Sequence, residues 1–578
     1  MKIGVHITHE VVHKIGGIGS VIDGLCTADN YKSFFDHTLL YGPLFSYSGD
    51  VFSRLGKGGE VLYSNHDSYD ANNYHDLFMD IITKRNIDIV FGKRTLVNEF
   101  NINKINTVDI VLIGISKMRV KEVDSFKHKL WEKYGIESDR YSDWDYEQYL
   151  RIAIPYLEIL DILYPNLTYC FHFSHEYMGI PSALTVGLYE KPGVQHKTIF
   201  YAHEVSPCRV VVEKNPGHDI SFYNILQNNK ARGRSFEDEY GNQRNSYRAE
   251  LVKRSAGFDY IFAVSDIIKE EYKYFIPDID EKKIKVVNNG IPIHYISHDE
   301  KLKSRNILQE YINNLFNFTP DIIFTHVTRL VVSKGIWRDI TFLYLLDEIF
   351  QQHGLKGAYI LLSTLIGIGR DPSIVSAMEK DYGWPIIHHE GWPDLVGSEN
   401  DIYNFLALFN ARSRSIKGIF LNQFSFNRRK CGERVPEEAK FSDLRTGSDA
   451  EFGFSIYEPF GIAQLETLPF GGIAALSSSC GCSCFIEKSL SKYNGKHYKI
   501  FDFISGTEGR KEIPDLTIIT TDQRFQLERE LFQHSAKDFF QILPKNDSER
   551  LGLLDAIQEK LEILGWESIV SNVNFSSL

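Results

Sequence analysis

Short apolar runs alternate with longer amphipathic segments along most of the chain, and this alternation is typical of βαβ units. The apolar runs are nearly continuous, which indicates parallel strands covered on both faces. We therefore predict an α/β protein with two parallel sheets. The strand candidates are 3–7, 38–41, 87–91, 110–115, 169–173, 198–202, 260–264 and 284–287 in the first half, and 322–327, 358–362, 386–389, 418–421, 473–477 and 516–520 in the second half.

The 578 residues are enough for two large domains, because single cores stop growing at about 250–300 residues. A polar stretch containing Pro292 separates the two sets of strands, and we place the hinge within 290–320. The predicted domains are 1–300 and 301–578, and the C-terminal helices are candidates to pack back on the first domain. We predict that the polar segment 425–449 is a long loop.

Two glutamates frame the segment E-P-F-G-I-A-Q-L-E at 458–466. Proline suits the first turn of a helix, so we expect a helix from about Pro459, with Glu458 at its mouth and Glu466 about 12 Å further along. The first backbone N–H groups, at Gly461 and Ile462, would face ligand oxygens. One carboxylate can then contact a sugar and the other a ribose. The spacing alone fits equally a capped core helix with an exposed glutamate at each end.

Two cations follow the predicted strand that ends near Val327, in the segment T-R-L-V-V-S-K-G at 328–335. Open α/β sheets bind ligands at the carboxyl ends of their strands. Arg329 and Lys334 can therefore clamp a diphosphate there and stabilise the charge that develops as it leaves. Two solvated charges on a surface loop are the alternative.

A Gly-rich turn follows the first predicted strand and contains Lys14, Gly16 and Gly17. Glycines allow the backbone to approach a ligand, and a helix that starts behind them favours anions. The turn does not read G-x-G-x-x-G, which argues against a dinucleotide.

Further polar residues follow other predicted strands of the first half. His175 and Glu176 come after one strand, and His203 comes after the next. Asp143 precedes a predicted helix and is either a sugar contact or a helix N-cap. Asn289 lies in the turn that leads to the hinge. A lone histidine at a strand end is more often structural, but these two should face one cleft.

Together these segments resemble the retaining GT-B glycosyltransferases, and within them glycogen and starch synthases. The pairing of R-x4-K at 329–334 with E-x7-E at 458–466 carries the resemblance. The turn at 14–20 is similar to K-x-G-G-L-x-D-V, with Ile18 and Ser20 replacing Leu and Asp. The segment 171–179 looks like H-x-H-[DE]-W-x-x-G, with Tyr177 replacing Trp, and 141–144 is similar to Y-x-D-N, with Trp144 replacing Asn.

The resemblance implies two Rossmann-like domains that face each other across a deep cleft. The first would hold the acceptor and the second the nucleotide sugar. It implies transfer of glucose from ADP- or UDP-glucose to an α-glucan with retention of configuration, without a metal or other cofactor. The catalytic candidates are Arg329, Lys334, Glu458, His175 and His203; the nucleotide-sugar contacts are Lys14, Gly16, Gly17, Asn289, Gly461, Ile462 and Glu466; the acceptor contacts are Asp143 and Glu176.

The net charge limits the kinds of binding partner that we expect, and the cysteine content indicates the cellular compartment. A net charge of −12 argues against nucleic acid as a partner. Seven cysteines in a long chain favour a reducing compartment, and Cys480, Cys482 and Cys484 lack the spacing of a zinc site. We see no signal peptide and no apolar run long enough to span a membrane, so we expect a cytoplasmic protein.

Three other functions fit the same motifs. The first is a group 1 glycosyltransferase that acts on another glycan or on a small acceptor. The second, of a different class, is a non-catalytic protein that binds nucleotide or glucan on a GT-B scaffold; the substitutions at Ser20, Trp144 and Tyr177 favour it. The third is an epimerase of the same fold, which would act on a free nucleotide sugar with water and no acceptor.

Overall fold

A computed structural model of the chain describes residues 1–13, 17–98, 101–189, 192–388, 394–491, 496–505 and 515–578. The strands are β1 Lys2–Ile7, β2 His37–Pro43, β3 Gly59–Ser64, β4 Tyr69–Asp70, β5 Asp88–Asn98, β6 Asn101–Gly114, β7 Tyr169–His175, β8 Gln195–Ala202, β9 Tyr260–Ala263, β10 Ile284–Val286, β11 Ile322–Val327, β12 Gly357–Leu362, β13 Ile416–Leu421, β14 Ala450–Gly453, β15 Ile473–Ser477 and β16 Tyr498–Phe501.

The α-helices connect these strands and cover them. They are α1 Ile18–Thr27, α2 Asp29–Phe34, α3 His75–Arg85, α4 Val120–Tyr134, α5 Trp144–Ala153, α6 Tyr156–Leu163, α7 Glu176–Leu188, α8 Ser206–Lys214, α9 His218–Ala231, α10 Phe236–Tyr240, α11 Tyr247–Arg254, α12 Asp266–Phe275, α13 His298–Phe316, α14 Ile336–His353, α15 Pro372–Tyr382, α16 Glu399–Arg412, α17 Arg428–Cys431, α18 Phe441–Gly447, α19 Gly481–Leu490, α20 Thr521–Ile542, α21 Asp547–Gln558 and α22 Trp566–Val573.

The chain forms two compact units. The first contains residues 1–208, 230–292 and 565–578, and the second contains 209–229 and 293–564. None of the described helices is long and apolar enough to cross a membrane.

The sheet of the first unit has ten strands in the order β10-β9-β8-β7-β1-β2-β6-β5-β3-β4. The seven strands from β10 to β6 are parallel, and β6, β5, β3 and β4 pair antiparallel. Chain order reverses between β1 and β7, since one side of β1 continues to β2 and the other side of β7 continues to β8. This reversal is the switch point at which open α/β sheets form their ligand crevice.

The sheet of the second unit has six parallel strands in the order β13-β12-β11-β14-β15-β16. This is the 3-2-1-4-5-6 order of Rossmann folds, with the switch point between β11 and β14. Both faces are covered, because Phe324 of β11 lies in one buried apolar cluster and its neighbour Ile323 lies in the other. The two strand orders confirm the predicted class of two Rossmann-like α/β domains.

Several predicted elements differ from the structure. The candidate 87–91 lies in β5, which pairs antiparallel with β3 and β6, so the first sheet is not entirely parallel. The described residues 386–388 form turns and a bend instead of a strand, and His389 lies outside the described residues. Residues 516–520 form a turn that leads into α20, where Thr520 and Gln523 make a capping box.

The predicted loop 425–449 contains α17 and α18 and precedes an unpredicted strand, β14. Phe426, Val435 and Leu444 of this segment are fully buried, in the apolar cluster that also contains Ile312 of α13. Although its composition is polar, this segment therefore packs against the core of the second unit. The prediction of a loop was wrong because a few widely spaced apolar residues of the segment are buried in this cluster.

A buried ion triad attaches the segment 209–229 to the second unit. Arg338 of α14 donates to both carboxylate oxygens of Asp219, at 2.7 and 3.0 Å, and to Glu528 of α20 at 2.9 Å. All three side chains are at most 1% exposed. Removing one partner from such a set leaves an uncompensated charge in the interior.

We predict that Asp219→Asn lowers the free energy of unfolding of the second unit by about 3–5 kcal/mol, because Arg338 loses a buried counter-charge. The matched control is Asp538→Asn, whose ion pair with Lys499 is 62% exposed on the carboxylate side; it should change stability by about 0.5 kcal/mol or less. Urea unfolding of both variants measures this. Equal effects would mean that the triad does not stabilise the unit.

Candidate active site

Glu451 of β14 joins the two strands that flank the switch point of the second sheet. Its carboxylate accepts hydrogen bonds from the backbone N–H of Val327 at 2.8 Å and from the hydroxyl of Thr325 at 2.5 Å, both on β11. The side chain is 1% exposed. A buried carboxylate is thus fixed where β11 ends, directly below the loop that carries Arg329 and Lys334.

The loop after β11 contacts the segment after β14. The backbone N–H groups of Ile456 and Tyr457 both donate to the carbonyl of Ser333, at 2.8 and 3.2 Å. Gly335 has φ +60°, and a Cβ there would lie 2.6 Å from the carbonyl of Phe454, so this approach requires glycine. These contacts place the two sequence motifs side by side.

Lys334 and Glu458 form an ion pair between their Nζ and Oε2 atoms. The side chains are 15% and 14% exposed, so both charged ends lie at the border between the sheet and solvent. The residues are 124 positions apart in sequence. The structure therefore brings together the lysine of one predicted motif and the first glutamate of the other.

Glu466 is paired with a buried arginine that the sequence analysis did not identify. Arg445 of α18 forms two ion pairs: its Nη1 lies 2.6 Å from the carboxylate of Glu451, and its Nη2 lies 2.9 Å from that of Glu466. Arg445 is only 5% exposed, whereas Glu466 is 29% exposed. A chain of charges thus runs from the switch point to the more accessible carboxylate of Glu466.

The predicted helix from Pro459 is absent from the described structure of this segment. The residues form two short 3-10 turns, Ile462–Leu465 and Leu468–Phe470. Gly461 has φ +99° and a second glycine, Gly471, has φ +74°, so left-handed residues interrupt the backbone before an α-helix can extend. The α-helical rise from which a separation of about 12 Å was expected therefore does not apply here, although both glutamates lie in the same region of the second unit.

The remaining predicted residues of this site differ in exposure: Arg329 is exposed, Ile462 is half-buried and Gly461 is buried. The side chain of Arg329 makes no hydrogen bond or ion pair with the part of the chain that the structure describes, whereas its carbonyl accepts from the N–H of Val331 at 3.0 Å. Gly461 and Ile462 lie in the turn after Glu458. The N–H of Gly481, at the start of α19, donates to the carbonyl of Glu458 at 2.8 Å, so the cysteine-rich segment braces this turn.

In the first unit, Gly17 lies beside the switch point between β1 and β7. Lys14 and Gly16 lie outside the described residues. Gly17 has φ +105° and precedes α1, whose Gly19 N–H donates to the buried carboxylate of Glu10 at 2.9 Å. One of the first N–H groups of α1 is therefore occupied by Glu10, a residue that the sequence analysis did not select.

Three histidines form a hydrogen-bonded series in the first sheet. Nδ1 of His6 lies 2.9 Å from Nε2 of His175, and Nδ1 of His175 lies 2.9 Å from Nε2 of His203. His175 is fully buried, and both of its ring nitrogens are bonded to the other two histidines. His203 is half-buried and stacks on Tyr201 with ring centroids 4.7 Å apart. Sequence reasoning missed His6, which lies inside β1.

The three other predicted residues of the first unit have different surroundings. Glu176 is buried at φ +57° and accepts from the backbone N–H of Glu204 at 2.6 Å. Asp143 is exposed and caps α5, accepting from the N–H of Asp145 at 2.8 Å. Asn289 is 5% exposed, and its Oδ1 has no hydrogen-bond partner among the described residues.

The carboxylate of Asp145 accepts hydrogen bonds from the hydroxyl groups of two tyrosines. Tyr177 donates to it at 2.6 Å and Tyr247 at 2.9 Å, and the guanidinium of Arg248 lies over the ring of Tyr177 at 4.9 Å. The residue that replaces the usual tryptophan is thus tied to a neighbouring acid. The sequence alone could not show that Asp143 caps the helix and that Asp145 accepts hydrogen bonds from the tyrosines.

One group among the described residues has the geometry to hold a metal ion, and it lies near the start of β7. Cys170, His172 and His196 place their ligand atoms within 4.8 Å of one another. Both nitrogens of His172 are hydrogen-bonded, to Tyr156 at 2.6 Å and to His196 at 2.8 Å. The carboxyl end of the strand, where the predicted site residues lie, is the opposite end.

No protein-family model matches the sequence, and no curated protein matches it. The chain is similar to solved structures over nearly its whole length. The catalytic domain of starch synthase IV from Arabidopsis thaliana, bound to ADP and acarbose, is 12% identical, with 99% of this chain and 97% of that chain covered and a TM-score of 0.48.

Two trehalose-related structures give similar values. The Escherichia coli protein described as trehalose-6-phosphate bound with UDP-2-fluoro glucose is 12% identical over 99% of this chain and 98% of that chain, with a TM-score of 0.47. The α,α-trehalose 6-phosphate synthase of Burkholderia multivorans is 11% identical over 100% and 96%, with a TM-score of 0.48. The assignment of the fold rests on the strand orders given above.

The histidine series makes the stability of the first unit dependent on pH. Burial lowers the pKa of His6 and of His203 from 6.5 to about 3, and burial together with its histidine neighbours lowers the pKa of His175 well below 6.5. The unfolded chain therefore binds protons that the folded chain does not. Their stabilising effect is complete above pH 6.5 and is lost as the pH falls from 6.5 towards 3.

We predict that acidification destabilises the first unit by about 1.4 kcal/mol per pH unit for each buried histidine. His6→Gln should reduce this slope by about 1.4 kcal/mol per pH unit, because the unfolded chain then binds one proton fewer. His128→Gln should leave it unchanged, because the His128 side chain is 61% exposed. Free energies of urea unfolding between about pH 7 and pH 5 test this. The same slope in His6→Gln and in the natural chain would contradict the assignment.

Proposed function

We propose that the chain is a retaining glycosyltransferase of the GT-B type that transfers glucose from ADP- or UDP-glucose to the non-reducing end of an α-glucan. One observation carries this proposal: Lys334 and Glu458, from two motifs 124 residues apart, form an ion pair at the switch point between β11 and β14. A lysine and a carboxylate at this place suit a ligand that has both phosphates and sugar hydroxyls.

Lys334 and Arg329 are the proposed ligands of the diphosphate. Their positive charges would stabilise the negative charge that develops on the leaving nucleoside diphosphate. Arg329 is exposed on the same loop, so it can reach a ligand outside the sheet. In the ion pair Lys334 faces a carboxylate, and a bound phosphate would compete with Glu458 for it.

Glu458 and Glu466 are the proposed contacts of the donor's two sugars. Once Lys334 binds phosphate, Glu458 can accept hydrogen bonds from hydroxyls of the transferred glucose. Glu466 would bind the ribose, and its ion pair with Arg445 at 2.9 Å would keep it oriented. The backbone at Gly461 and Ile462 would complete the donor site.

The proposed chemistry needs no covalent intermediate. The bond between the anomeric carbon and the phosphate oxygen breaks on the same face on which the acceptor hydroxyl forms its new bond. The leaving phosphate takes the proton of that hydroxyl, so atoms and charges balance, and the α configuration is retained. His203 and Glu176 of the first unit are proposed contacts of the acceptor side.

We predict that Lys334→Ala lowers kcat/KM by about 10²–10³-fold, which corresponds to about 2.7–4 kcal/mol, because the leaving phosphate loses a charged donor. The matched control is Lys380→Ala, an exposed lysine of α15, which should retain full activity. Steady-state kinetics with correctly folded variants measures both. Near-full activity of Lys334→Ala would show that the assigned role is wrong.

The donor and acceptor are tested together by nucleotide release. The purified protein is incubated with ADP-glucose, UDP-glucose and other nucleotide sugars, each with no acceptor, with glycogen, with glucose 6-phosphate and with small sugars. We expect release from a glucose donor that rises with glycogen. Release that rises only with a small acceptor would keep the transferase and replace the acceptor. Nucleotide binding by calorimetry without turnover under any condition would instead indicate a non-catalytic binding protein.

We predict that turnover is unchanged in excess chelator, because the two cations replace the metal that other transferases use to stabilise the diphosphate. The measurement is the initial rate with EDTA against the rate with added Mg²⁺ or Mn²⁺. Loss of activity in EDTA that is restored by a divalent ion would contradict the proposed role of Arg329 and Lys334.

A further inference from the structure

The histidine series of the first unit continues into the interior through a tyrosine. The hydroxyl of Tyr31 lies 2.8 Å from Nε2 of His6, and the hydroxyl of Thr38 donates to Tyr31 at 3.3 Å. Tyr31 and His6 are fully buried. Five polar groups, Thr38, Tyr31, His6, His175 and His203, therefore form one connected series.

Each ring in this series holds one proton. The rings of His6 and His175 are shielded from water, and two adjacent imidazoliums would repel each other in a low dielectric. A neutral imidazole has one N–H donor and one bare acceptor nitrogen. Because both nitrogens of His6 and of His175 are used, every hydrogen bond in the series must point the same way.

The buried end selects the direction. If Tyr31 donates to Nε2 of His6, it can still accept from Thr38, and all of these hydrogen bonds are made. If Nε2–H of His6 donated to Tyr31, the phenol oxygen would accept from both His6 and Thr38. Its own proton would then be left with the thiol of Cys26, which lies 3.5 Å from the same His6 nitrogen. Sulfur is a weak acceptor, so the buried hydroxyl of Tyr31 would be poorly satisfied in this direction. The first direction is therefore favoured.

We propose that Tyr31 and His6 are positioning residues that act through His175 to fix His203 as an outward donor. In this arrangement Nδ1–H of His6 donates to Nε2 of His175, and Nδ1–H of His175 donates to Nε2 of His203. The proton of His203 is then on Nδ1. That nitrogen has no hydrogen-bond partner among the described residues, and His203 is half-buried at the end of β8.

This inference deepens the proposed function and rests on it for the identity of the ligand. A neutral Nδ1–H donates a hydrogen bond to an oxygen of a sugar or phosphate, and it cannot remove a proton from an acceptor. His203 would then bind the substrate, and the acceptor proton would go to the leaving phosphate. The series explains why two fully buried histidines, His6 and His175, lie behind the half-buried His203.

The protonation of His203 is measured by NMR on the full chain labelled with ¹⁵N-histidine, without any substrate. Protonated and bare ring nitrogens of a neutral imidazole resonate far apart, and the His203 signals are those missing from a His203→Gln sample. We expect the proton of His203 on Nδ1 in the natural chain. A proton on Nε2 overturns the proposal.

The direction of the series is tested with Tyr31→Phe, which removes the donor to His6 and keeps the ring. We expect His203 to change from one dominant tautomer to a mixture of both. The matched control is Tyr41→Phe, which removes a buried hydroxyl that donates to the carbonyl of Ile152 at 2.6 Å outside the series. It should preserve the tautomer of His203. Identical His203 spectra for the natural chain and Tyr31→Phe would contradict the role of Tyr31.

Kinetics then separate this inference from the proposed function. Tyr31→Phe should lower kcat/KM by about 3–10-fold, as expected for one misdirected hydrogen bond, and Tyr41→Phe should not. A chain that transfers no sugar but places the proton of His203 on Nδ1 would refute the proposed function alone. An active chain with the opposite tautomer would refute the positioning role alone.

Discussion

The carboxylate of Glu451 makes the interactions on which the candidate site depends. It is buried between β11 and β14, accepts from Thr325 and Val327, and pairs with Arg445. Because these bonds tie the end of one strand to its neighbour, the loops that follow both strands start from fixed positions. The ion pair of Lys334 with Glu458 is formed between those two loops. The accessible charges of the site are thus supported by buried ones.

The two units use the same strand reversal for different chemistry. In the second unit the switch point is surrounded by ions, with Arg329 and Lys334 as cations and Glu458 and Glu466 as accessible acids. In the first unit the corresponding edge has neutral histidines, whose burial keeps them uncharged. Phosphates favour the first environment, and sugar hydroxyls are suited to the second. This division is what the proposed donor site on the second unit and the proposed acceptor contacts on the first would require.

The strand pattern predicted the two sheets because parallel strands covered on both faces have continuous apolar runs. The strand pattern did not predict β14. Its four residues include Glu451, and a charged residue breaks the apolar run. The strand residues that donate to the buried carboxylate of Glu451 lie far from it in sequence. The resemblance of the two motifs to one family predicted that they lie together, and Lys334 and Glu458 do form an ion pair. The resemblance could not reveal Arg445, His6 or Tyr31, because their contacts depend on pairing between strands and helices far apart in the chain. The segment 209–229, which belongs to the second unit, likewise has no local signal.

The central claim is that Lys334, Arg329, Glu458 and Glu466 surround one nucleotide sugar. A crystal structure of the chain with UDP-glucose or ADP-glucose tests it most directly. The account predicts the diphosphate at the carboxyl ends of β11 and β14, with Nζ of Lys334 and the Arg329 guanidinium on its oxygens and the ribose hydroxyls on Glu466. A nucleotide bound elsewhere, with Lys334 still paired to Glu458, would contradict it.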